Sequence, residues 1–253
     1  MLKRMFAQGD RGAAPRDTDA DWEEIGRANP YYGVLTDPRF KTENLNDEAL
    51  ADFFATGEGD IRWASEALLR RYPDFAPASA LDFGCGVGRL TRALAAKTGD
   101  AFGVDVSESM LAEARRSTQA GLGFGCDLPD RTFDWIVSII VFQHIQPERG
   151  YPLLKALLER LAPGGFVTLQ FALYRDPRHA AVPGGRVVMA EDFTMVSNVA
   201  ALRKLAKGEM VMFDYDLTVI AAILFAAGVT DLELTHTDHG GFHGSFIHGR
   251  KAA

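Results

Sequence analysis

A glycine-rich turn follows the short apolar run at residues 80–83 and precedes a stretch with helical periodicity. Gly84, Gly86 and Gly88 have no Cβ, so the chain can turn tightly and its backbone amides can approach a ligand closely. A strand, a tight turn and a helix N-terminus in this order form a cradle for a nucleotide-like ligand. The spacing therefore predicts a ligand-binding junction at the end of a strand.

Two acidic residues bracket this turn. Asp82 lies just before the glycines, and Asp105 ends the next apolar run. An acid at the end of a second parallel strand accepts hydrogen bonds from both hydroxyls of a ribose. Asp82 would repel a pyrophosphate, whereas it suits a ligand that carries an ammonium and a sulfonium. This charge, together with a Gly-x-Gly-x-Gly spacing that differs from the dinucleotide fingerprint, favours S-adenosylmethionine over NAD.

With these residues the chain resembles the class I S-adenosylmethionine-dependent methyltransferases of the small-molecule type. The resemblance spans roughly residues 78–170, and the flanks match more loosely. Five segments in the family's order carry it: 81–89 (Leu-Asp-Phe-Gly-Cys-Gly-Val-Gly-Arg), 103–110 (Gly-Val-Asp-Val-Ser-Glu-Ser-Met), 126–129 (Cys-Asp-Leu-Pro), 133–138 (Phe-Asp-Trp-Ile-Val-Ser) and 161–167 (Leu-Ala-Pro-Gly-Gly-Phe-Val).

The resemblance implies an α/β fold. We expect a Rossmann-like, doubly wound and mostly parallel seven-stranded sheet with an antiparallel terminal hairpin, an N-terminal helical cover and a lid insertion. The expected organisation is a flexible tail at residues 1–21, the cover at 22–77, and a methyltransferase domain at 78–253 with the lid at about 174–213.

The resemblance also assigns a set of residues to the cofactor. Asp127 would accept a hydrogen bond from the adenine amine, although it could instead cap a turn. Ser138 would contact the methionine part through its backbone, or its side chain could simply close the strand. For the glycines and Asp105, the alternative is a set of turn residues and a surface acid. The expected cofactor-binding residues are Asp82, Gly84, Cys85, Gly86, Gly88, Asp105, Val106, Met110, Asp127, Leu128, Ser138 and Ile139.

His144 is the candidate catalytic residue. It lies just beyond the predicted fourth strand, at the edge where open α/β sheets bind ligands. A histidine there could deprotonate a hydroxyl or amine near neutral pH. The family often has a histidine at this place that packs or hydrogen-bonds locally, so a structural role stays open.

Two further patterns invite a functional interpretation. The run Asn-Pro-Tyr-Tyr at residues 29–32 resembles a motif of nucleic-acid amino-methyltransferases, but that motif follows the fourth strand and this one precedes the first. Tyr31 and Tyr32 could instead face the sulfonium from the cover or pack in the core. In the terminal segment His236, His239, His243 and His248 lie near Asp238 on a glycine-rich turn. No helix fixes the rings there, so we expect no metal site.

Periodicity indicates the elements that must position these residues. A compressed third unit, with Pro129 in its loop, leaves no room for a helix before the fourth strand. In or near the lid, Arg186, Asp214 and Tyr215 are candidate substrate contacts. We predict strands near 80–84, 101–105, 122–125, 133–140, 165–172, 232–236 and 245–249. We predict helices near 47–54, 61–72, 88–97, 107–117, 150–161, 196–207 and 216–227, with the first two separated by a break at Gly-Glu-Gly-Asp 57–60. The helix near 150–161 should bury a stripe formed by Leu153, Leu154, Leu157, Leu158 and Leu161.

Composition narrows the class of protein. The chain has 253 residues, 47% of them hydrophobic, enough for one large core. Its net charge of −7 argues against a general nucleic-acid binder. No stretch reads as a signal peptide or membrane helix, and two cysteines give no disulfide framework, so a cytoplasmic enzyme is expected.

The expected partner is a small-molecule methyl acceptor, with nucleic acid and membrane not expected and a homodimer left open. Methylation of an oxygen, nitrogen or carbon nucleophile is the leading function. The alternatives are other chemistry with the same cofactor, a different nucleotide cofactor, or a cofactor-binding protein without catalysis.

Overall fold

The computed structural model describes residues 18–176 and 210–253, and between them only the backbone of residues 187–189 and 195–196. Its centre is a seven-stranded sheet in the order β3-β2-β1-β4-β5-β10-β9. Neighbouring strands from β3 to β5 run parallel, and β10 is antiparallel to both β5 and β9. The seven strands are β1 (Ala80–Phe83), β2 (Ala101–Val104), β3 (Leu122–Gly125), β4 (Phe133–Ser138), β5 (Leu161–Arg175), β9 (Val229–Asp238) and β10 (Phe242–Lys251).

This topology confirms the predicted Rossmann-like sheet with its antiparallel terminal hairpin. The loop between β3 and β4 holds no helix, as the compressed third unit predicted. The helices are α1 (Thr18–Ala28), α2 (Pro30–Val34), α3 (Asp47–Arg71), α4 (Arg89–Thr98), α5 (Glu108–Ala114), α6 (Pro147–Glu159) and α7 (Leu217–Ala226), with 3₁₀ turns at Pro38–Phe40 and Phe142–His144.

A second, three-stranded sheet lies in the segment that the sequence assigned to a lid. It pairs β6 (Val187–Met189) with β7 (Met195–Val196) on one side and β8 (Met210–Met212) on the other. Most of the predicted helix at 196–207, and the candidate Arg186, lie outside the described residues. Because β8 leads directly into α7, this sheet is joined to the domain at its C-terminal end.

The core has one layer on each face of the large sheet. One cluster contains Leu154, Leu157, Leu158 and Leu161 of the predicted leucine stripe, each at most 2% exposed, and it packs with residues of α7. Leu153 is only partly buried against this cluster. The stripe is therefore core, with Leu153 at its edge.

The other face packs against α3 and α4. Leu68 of α3 and Leu94 of α4 are fully buried there beside Trp135 of β4. Trp135 also donates its indole N–H to Thr168 Oγ1 (3.0 Å), which satisfies the one polar atom of that ring. The two layers fix the sheet, and with it the strand ends that carry the predicted site.

Helix α3 differs from its prediction. The sequence predicted two helices with a break at the two glycines, but one helix runs unbroken from residue 47 to residue 71. A Cβ on Gly57 would lie 2.3 Å from the carbonyl oxygen of Arg89, the first residue of α4. Gly57 therefore serves the close approach of α3 and α4, and the contact outweighs the low helix propensity of glycine.

The N-terminal boundary also differs. Helix α1 begins at Thr18, so the last four residues of the predicted tail belong to this helix, and Asp21 among them is buried. In the part of the chain that the structure describes, no helix combines the length and the apolar character needed to span a membrane.

Candidate active site

A cavity of about 490 Å³, here called the strand-end cavity, opens at the carboxyl ends of the parallel strands. Every strand from β1 to β4 leads a loop into it, because parallel strands end at the same edge of a sheet. Of the predicted cofactor residues, those that line it are Gly84, Gly86, Asp105, Val106, Met110, Asp127 and Leu128.

The glycine turn forms the floor of this cavity. Gly84 has φ 76° and Gly86 has φ 53°, both in the left-handed region that favours glycine. A Cβ at Gly84 would lie 2.4 Å from Val141, and one at Gly86 would lie 2.6 Å from Val34. Any larger residue would thus strain the backbone and push into neighbouring walls. Gly88 lines no described cavity; its missing Cβ leaves room for Phe124 at 3.1 Å.

Asp105 is held rigidly at the tip of β2. Its Oδ2 accepts the Gly86 amide (2.8 Å), and its Oδ1 accepts the Ser107 amide (2.9 Å). Burial raises the pKa of this carboxyl, and the two amides partly oppose that rise. Each carboxylate oxygen keeps a second lone pair, so Asp105 can still accept two hydroxyls from the cavity.

Asp82 lies under the turn, in the centre of the sheet. It is 1% exposed and accepts the Thr91 hydroxyl at 2.6 Å. Burial raises the pKa of its carboxyl to about 6. Together with Cys85 and Ile139 it lines a narrow cavity of about 40 Å³ rather than the strand-end cavity. Direct contact of these three residues with a cofactor stays a prediction.

Ser138 does not face a cavity. It is fully buried, and its hydroxyl donates to the carbonyl of Phe83 at 3.1 Å, which ties the end of β4 to β1. This is the alternative role considered from the sequence, in which the side chain closes the strand. The hydroxyl holds the edge at which the strand-end cavity begins.

Helix α1 covers the strand-end cavity. Asp19 and Trp22 line it, and Arg149 at the start of α6 donates to both oxygens of Asp19 at 2.6 and 2.7 Å. Glu23 accepts the hydroxyls of Ser107 and Ser109 (2.9 and 2.5 Å), directly beyond Asp105. The cover is thereby joined to both sides of the opening.

A second cavity of about 480 Å³, here called the hairpin cavity, lies between α1, β5 and the β9–β10 hairpin. It has a largely apolar wall that includes Phe171, Met212 and Phe242. Its polar members are Thr36, Gln143, His144, Gln170, Thr237 and His239. Both cavities share four lining residues, which mark their junction: Trp22, Val34, Ile140 and His144.

His144 lies at this junction but is 5% exposed. Its Nδ1 is 3.0 Å from the carbonyl of Val211, which makes that nitrogen the donor, and its Nε2 is 3.2 Å from Nε2 of Gln143. Burial lowers the pKa of the imidazole to about 4. Trp22 packs edge-on against the ring, with centroids 5.0 Å apart. His144 is therefore a neutral, fixed part of the wall, and a role as general base stays a prediction.

The aromatic residue at the junction is Trp22, not the tyrosine pair. Tyr31 packs against Phe53 with ring centroids 5.0 Å apart and donates its hydroxyl to Glu113 at 2.8 Å. Neither Tyr31 nor Tyr32 lines the strand-end cavity or the hairpin cavity. Core packing, one of the two interpretations left open for Tyr31, is the observed one. Trp22 has no motif around it, and only its place in an amphipathic N-terminal helix could have indicated it.

The histidines of the terminal hairpin separate into different environments. His248 is fully buried with Nδ1 3.1 Å from Thr168 Oγ1, whereas His243 contacts Asp176 at 2.9 Å. His239 lines the hairpin cavity, and His236 is exposed beside His243. No group of three His, Cys, Asp or Glu residues within the described ranges is arranged to hold a metal ion.

Two lid candidates have structural partners. Asp214 forms an ion pair with the buried Arg175 (2.6 Å). Tyr215 donates to the carbonyl of Ile145 at 2.8 Å, and burial raises its pKa above the ordinary range. Neither lines one of the two large cavities.

Sequence comparison relates the central segment of the chain to known methyltransferases. Residues 80–165 match a family model described as a methyltransferase domain. A trans-aconitate 2-methyltransferase from Methylobacterium radiotolerans is 36% identical over 130 residues, which cover 49% of this chain and 47% of that relative. The segment at residues 80–165 is a methyltransferase domain. The match to the curated methyltransferases spans only about half of their length, between 42% and 60%.

Solved methyltransferases share the fold over nearly the whole chain. Magnesium protoporphyrin IX methyltransferase from Synechocystis PCC 6803, with bound SAM, aligns with a TM-score of 0.59 at 15% identity and covers 95% of this chain and 100% of its own. The 1,6-didemethyltoxoflavin-N1-methyltransferase of Burkholderia thailandensis aligns with a TM-score of 0.59 at 19% identity, covering 95% and 92%. The methyltransferase fold thus extends beyond the segment matched by the family model.

Proposed function

We propose that this protein binds S-adenosylmethionine in the strand-end cavity and methylates an oxygen, nitrogen or carbon nucleophile of a small molecule held in the hairpin cavity. The observation that carries the proposal is the junction of two cavities of similar size. One has a glycine floor and an acid at its rim, and the other has a mainly apolar wall.

The residues of the strand-end cavity fit the cofactor. The glycine floor keeps side-chain atoms out of the turn, because a Cβ at Gly84 or Gly86 would lie within 2.6 Å of a neighbouring side chain. Asp105 can accept the ribose hydroxyls, Val106 and Leu128 offer apolar faces to the adenine, and Asp127 can accept its amine. The buried carboxylate of Asp82 favours the positively charged end of the ligand.

When bound, the cofactor supplies an electrophilic methyl group on a sulfonium. The residues of this chain then have three tasks. The junction residues must align the nucleophile at about 3–3.5 Å from the methyl carbon and in line with the sulfur. Helix α1 and the apolar wall of the hairpin cavity exclude water. A hydroxyl nucleophile also needs a proton acceptor, for which His144 at the junction stays the candidate.

The acceptor is a small molecule, because the hairpin cavity has a volume of about 480 Å³. The relatives named trans-aconitate 2-methyltransferase and the toxoflavin-precursor N-methyltransferase make carboxylates and heteroaromatic nitrogens the first classes to test. A screen with a radiolabelled methyl donor would identify the class that this chain accepts.

Calorimetry with purified protein tests the proposal at its base. We expect S-adenosylmethionine and S-adenosylhomocysteine to bind in a one-to-one ratio, and mass spectrometry of the purified protein to detect one of them rather than NAD. Binding of NAD together with no binding of S-adenosylmethionine would contradict the proposal. Transfer of label to an acceptor would extend it from binding to catalysis.

A further inference from the structure

We propose that Gln170 is a positioning residue that holds the wall between the two cavities and connects it to the β9–β10 turn. The catalytic consequence of this inference rests on the proposed function, whereas the structural one does not. The observations are a strained residue at the junction, a buried amide that holds it, and a histidine on the other side of that amide.

Ile140 is the strained residue. It has φ 61°, and within the described residues it is the one non-glycine residue in the left-handed region. A β-branched side chain is disfavoured there, so surrounding contacts must hold it. Ile140 lines the strand-end cavity, the hairpin cavity and the narrow cavity beneath the glycine turn. The strain is thus located where donor and acceptor must meet.

Gln170 supplies the contact that holds it. It lies on β5, one position beyond the residue that pairs with the end of β4, and is 3% exposed. Its Oε1 accepts the backbone amide of Ile140 at 3.0 Å. Because a backbone N–H can only donate, this contact fixes which end of the side chain is oxygen. The amide nitrogen must then point the other way.

On that side the amide nitrogen meets His239. Its Nε2 lies 2.9 Å from Nε2 of Gln170. Since Gln170 is the donor, the imidazole must offer a lone pair at Nε2 and carry its proton on Nδ1. His239 lies on the turn between β9 and β10 and lines the hairpin cavity. One buried side chain therefore joins the loop after β4 to a wall of the acceptor cavity.

The effect on catalysis follows from this arrangement. Without Gln170, the amide of Ile140 loses its acceptor and the backbone is free to relax to negative φ, which moves the junction wall. The floor and rim of the strand-end cavity are built by other residues, so cofactor binding should change little. A misplacement of about 1 Å at the reacting atoms can reduce a rate by about 10²-fold.

Three substitutions separate the contacts. Gln170→Met removes both with little change in volume. Gln170→Glu keeps the acceptor for Ile140 and restores the second contact, because His239 can move its proton to Nε2 and donate. His239→Ala removes only the second contact. Gln119→Met is the matched control, since Gln119 also donates through its amide (2.9 Å, to the carbonyl of Arg92) but lies outside the strand-end and hairpin cavities.

We expect Gln170→Met to lower kcat by about 30–100-fold while the dissociation constant of S-adenosylmethionine changes by less than about 3-fold. The kcat of Gln170→Glu should lie within about 5-fold of the wild-type value, and the kcat of Gln119→Met should equal it. An unchanged kcat in Gln170→Met, or a Gln170→Glu variant as slow as Gln170→Met, would overturn the inference.

Amide hydrogen exchange tests the structural part without activity. The Ile140 amide should be protected in wild type and Gln170→Glu and exchange faster in a folded Gln170→Met. Equal protection in all variants would sink the proposal. If the variants show this exchange pattern but the wild-type protein methylates no acceptor, the proposed function is refuted and the structural role of Gln170 stands. If Gln170→Met does not fold, Gln170→Glu and His239→Ala, which both keep the acceptor for Ile140, must still protect its amide as wild type does; faster exchange in either counts against the inference.

Discussion

The two cavities have nearly equal volumes, about 490 and 480 Å³, but they are built in different ways. The strand-end cavity takes its floor and rim from loops that directly follow consecutive parallel strands. The hairpin cavity takes its wall from helix α1, strand β5, strand β8 and the terminal hairpin, which are far apart in the sequence. Local motifs therefore encode the first cavity, and long-range packing produces the second.

The largest effect that this contrast predicts is at Asp105. Asp105→Ala should weaken binding of S-adenosylmethionine by about 10²–10⁴-fold, because it removes the ribose acceptor and frees the amides of Gly86 and Ser107. Asp105→Asn, which keeps one acceptor, should lose less. Calorimetric titration measures both. An Asp105→Ala variant with wild-type affinity would show that the rim of the strand-end cavity does not hold the cofactor.

The same contrast explains what the sequence could predict. Gly84, Gly86 and Asp105 line the strand-end cavity, and a motif could indicate them because each occupies a fixed position next to a strand. The parallel sheet followed from alternating strand and helix patterns in the same way. These features depend on a few neighbouring residues, so a single chain contains enough information to infer them.

The acceptor side could not be predicted. Trp22 and Gln170 carry no motif, and Ile140 gives no sign in the sequence of its positive φ. Helix α3 shows the same limit, because Gly57 was interpreted as a break although it permits contact with the carbonyl of Arg89. Each of these roles is set by a partner that lies elsewhere in the chain.

The junction histidine should make the protein sensitive to acid. Its folded-state pKa of about 4 is below the ordinary value of 6.5, so the unfolded chain binds the proton first. The stability conferred by neutral His144 is complete above pH 6.5 and is lost as the pH falls toward 4, by on the order of 2–3 kcal/mol. Urea titrations at pH 7 and 4.5 should show a smaller acid-induced loss in His144→Gln than in wild type.

The exposed His236 provides the control for this measurement. His236→Gln should retain the full acid-induced loss of wild type, since the ring is solvated in both states. Identical pH dependence in His144→Gln and wild type would mean that the imidazole is accessible to protons in the folded state. That result would favour its role as a general base over its role as a neutral wall.

A buried group on the cofactor side should respond to pH in the opposite direction. Asp82 has a folded-state pKa of about 6, above the ordinary 3.8, so the folded protein binds the proton first. The buried carboxylate therefore destabilises the fold at neutral pH, and this penalty disappears as the pH falls below 4. Asp82→Asn should raise the free energy of unfolding at pH 7.5 by roughly 1–3 kcal/mol, and it should weaken binding of S-adenosylmethionine.

Denaturant unfolding at pH 7.5 and 4 measures this gain. Asp82→Asn should be more stable than wild type at pH 7.5 and equally stable at pH 4. The control Asp100→Asn alters an exposed pair with Arg131 and should show no gain in stability at pH 7.5. A less stable Asp82→Asn at pH 7.5 would mean that the contact with Thr91 needs the charge. The carboxylate would then be structural rather than kept for the ligand.

The smallest expected effect lies in the cover shared by the two cavities. The bidentate pair between Arg149 and Asp19 is exposed, so its contribution should be about 0.2–1 kcal/mol. Arg149→Gln should speed release of S-adenosylhomocysteine by up to about 5-fold, followed through the fluorescence of Trp22 in stopped-flow experiments. Arg160→Gln breaks a surface pair with Asp130 that lies outside both cavities, and it should leave the rate unchanged. Arg149 lines the strand-end cavity and not the hairpin cavity, so the KM for the acceptor should stay constant in Arg149→Gln. A change in that KM would show that the cover moves over both cavities as one unit.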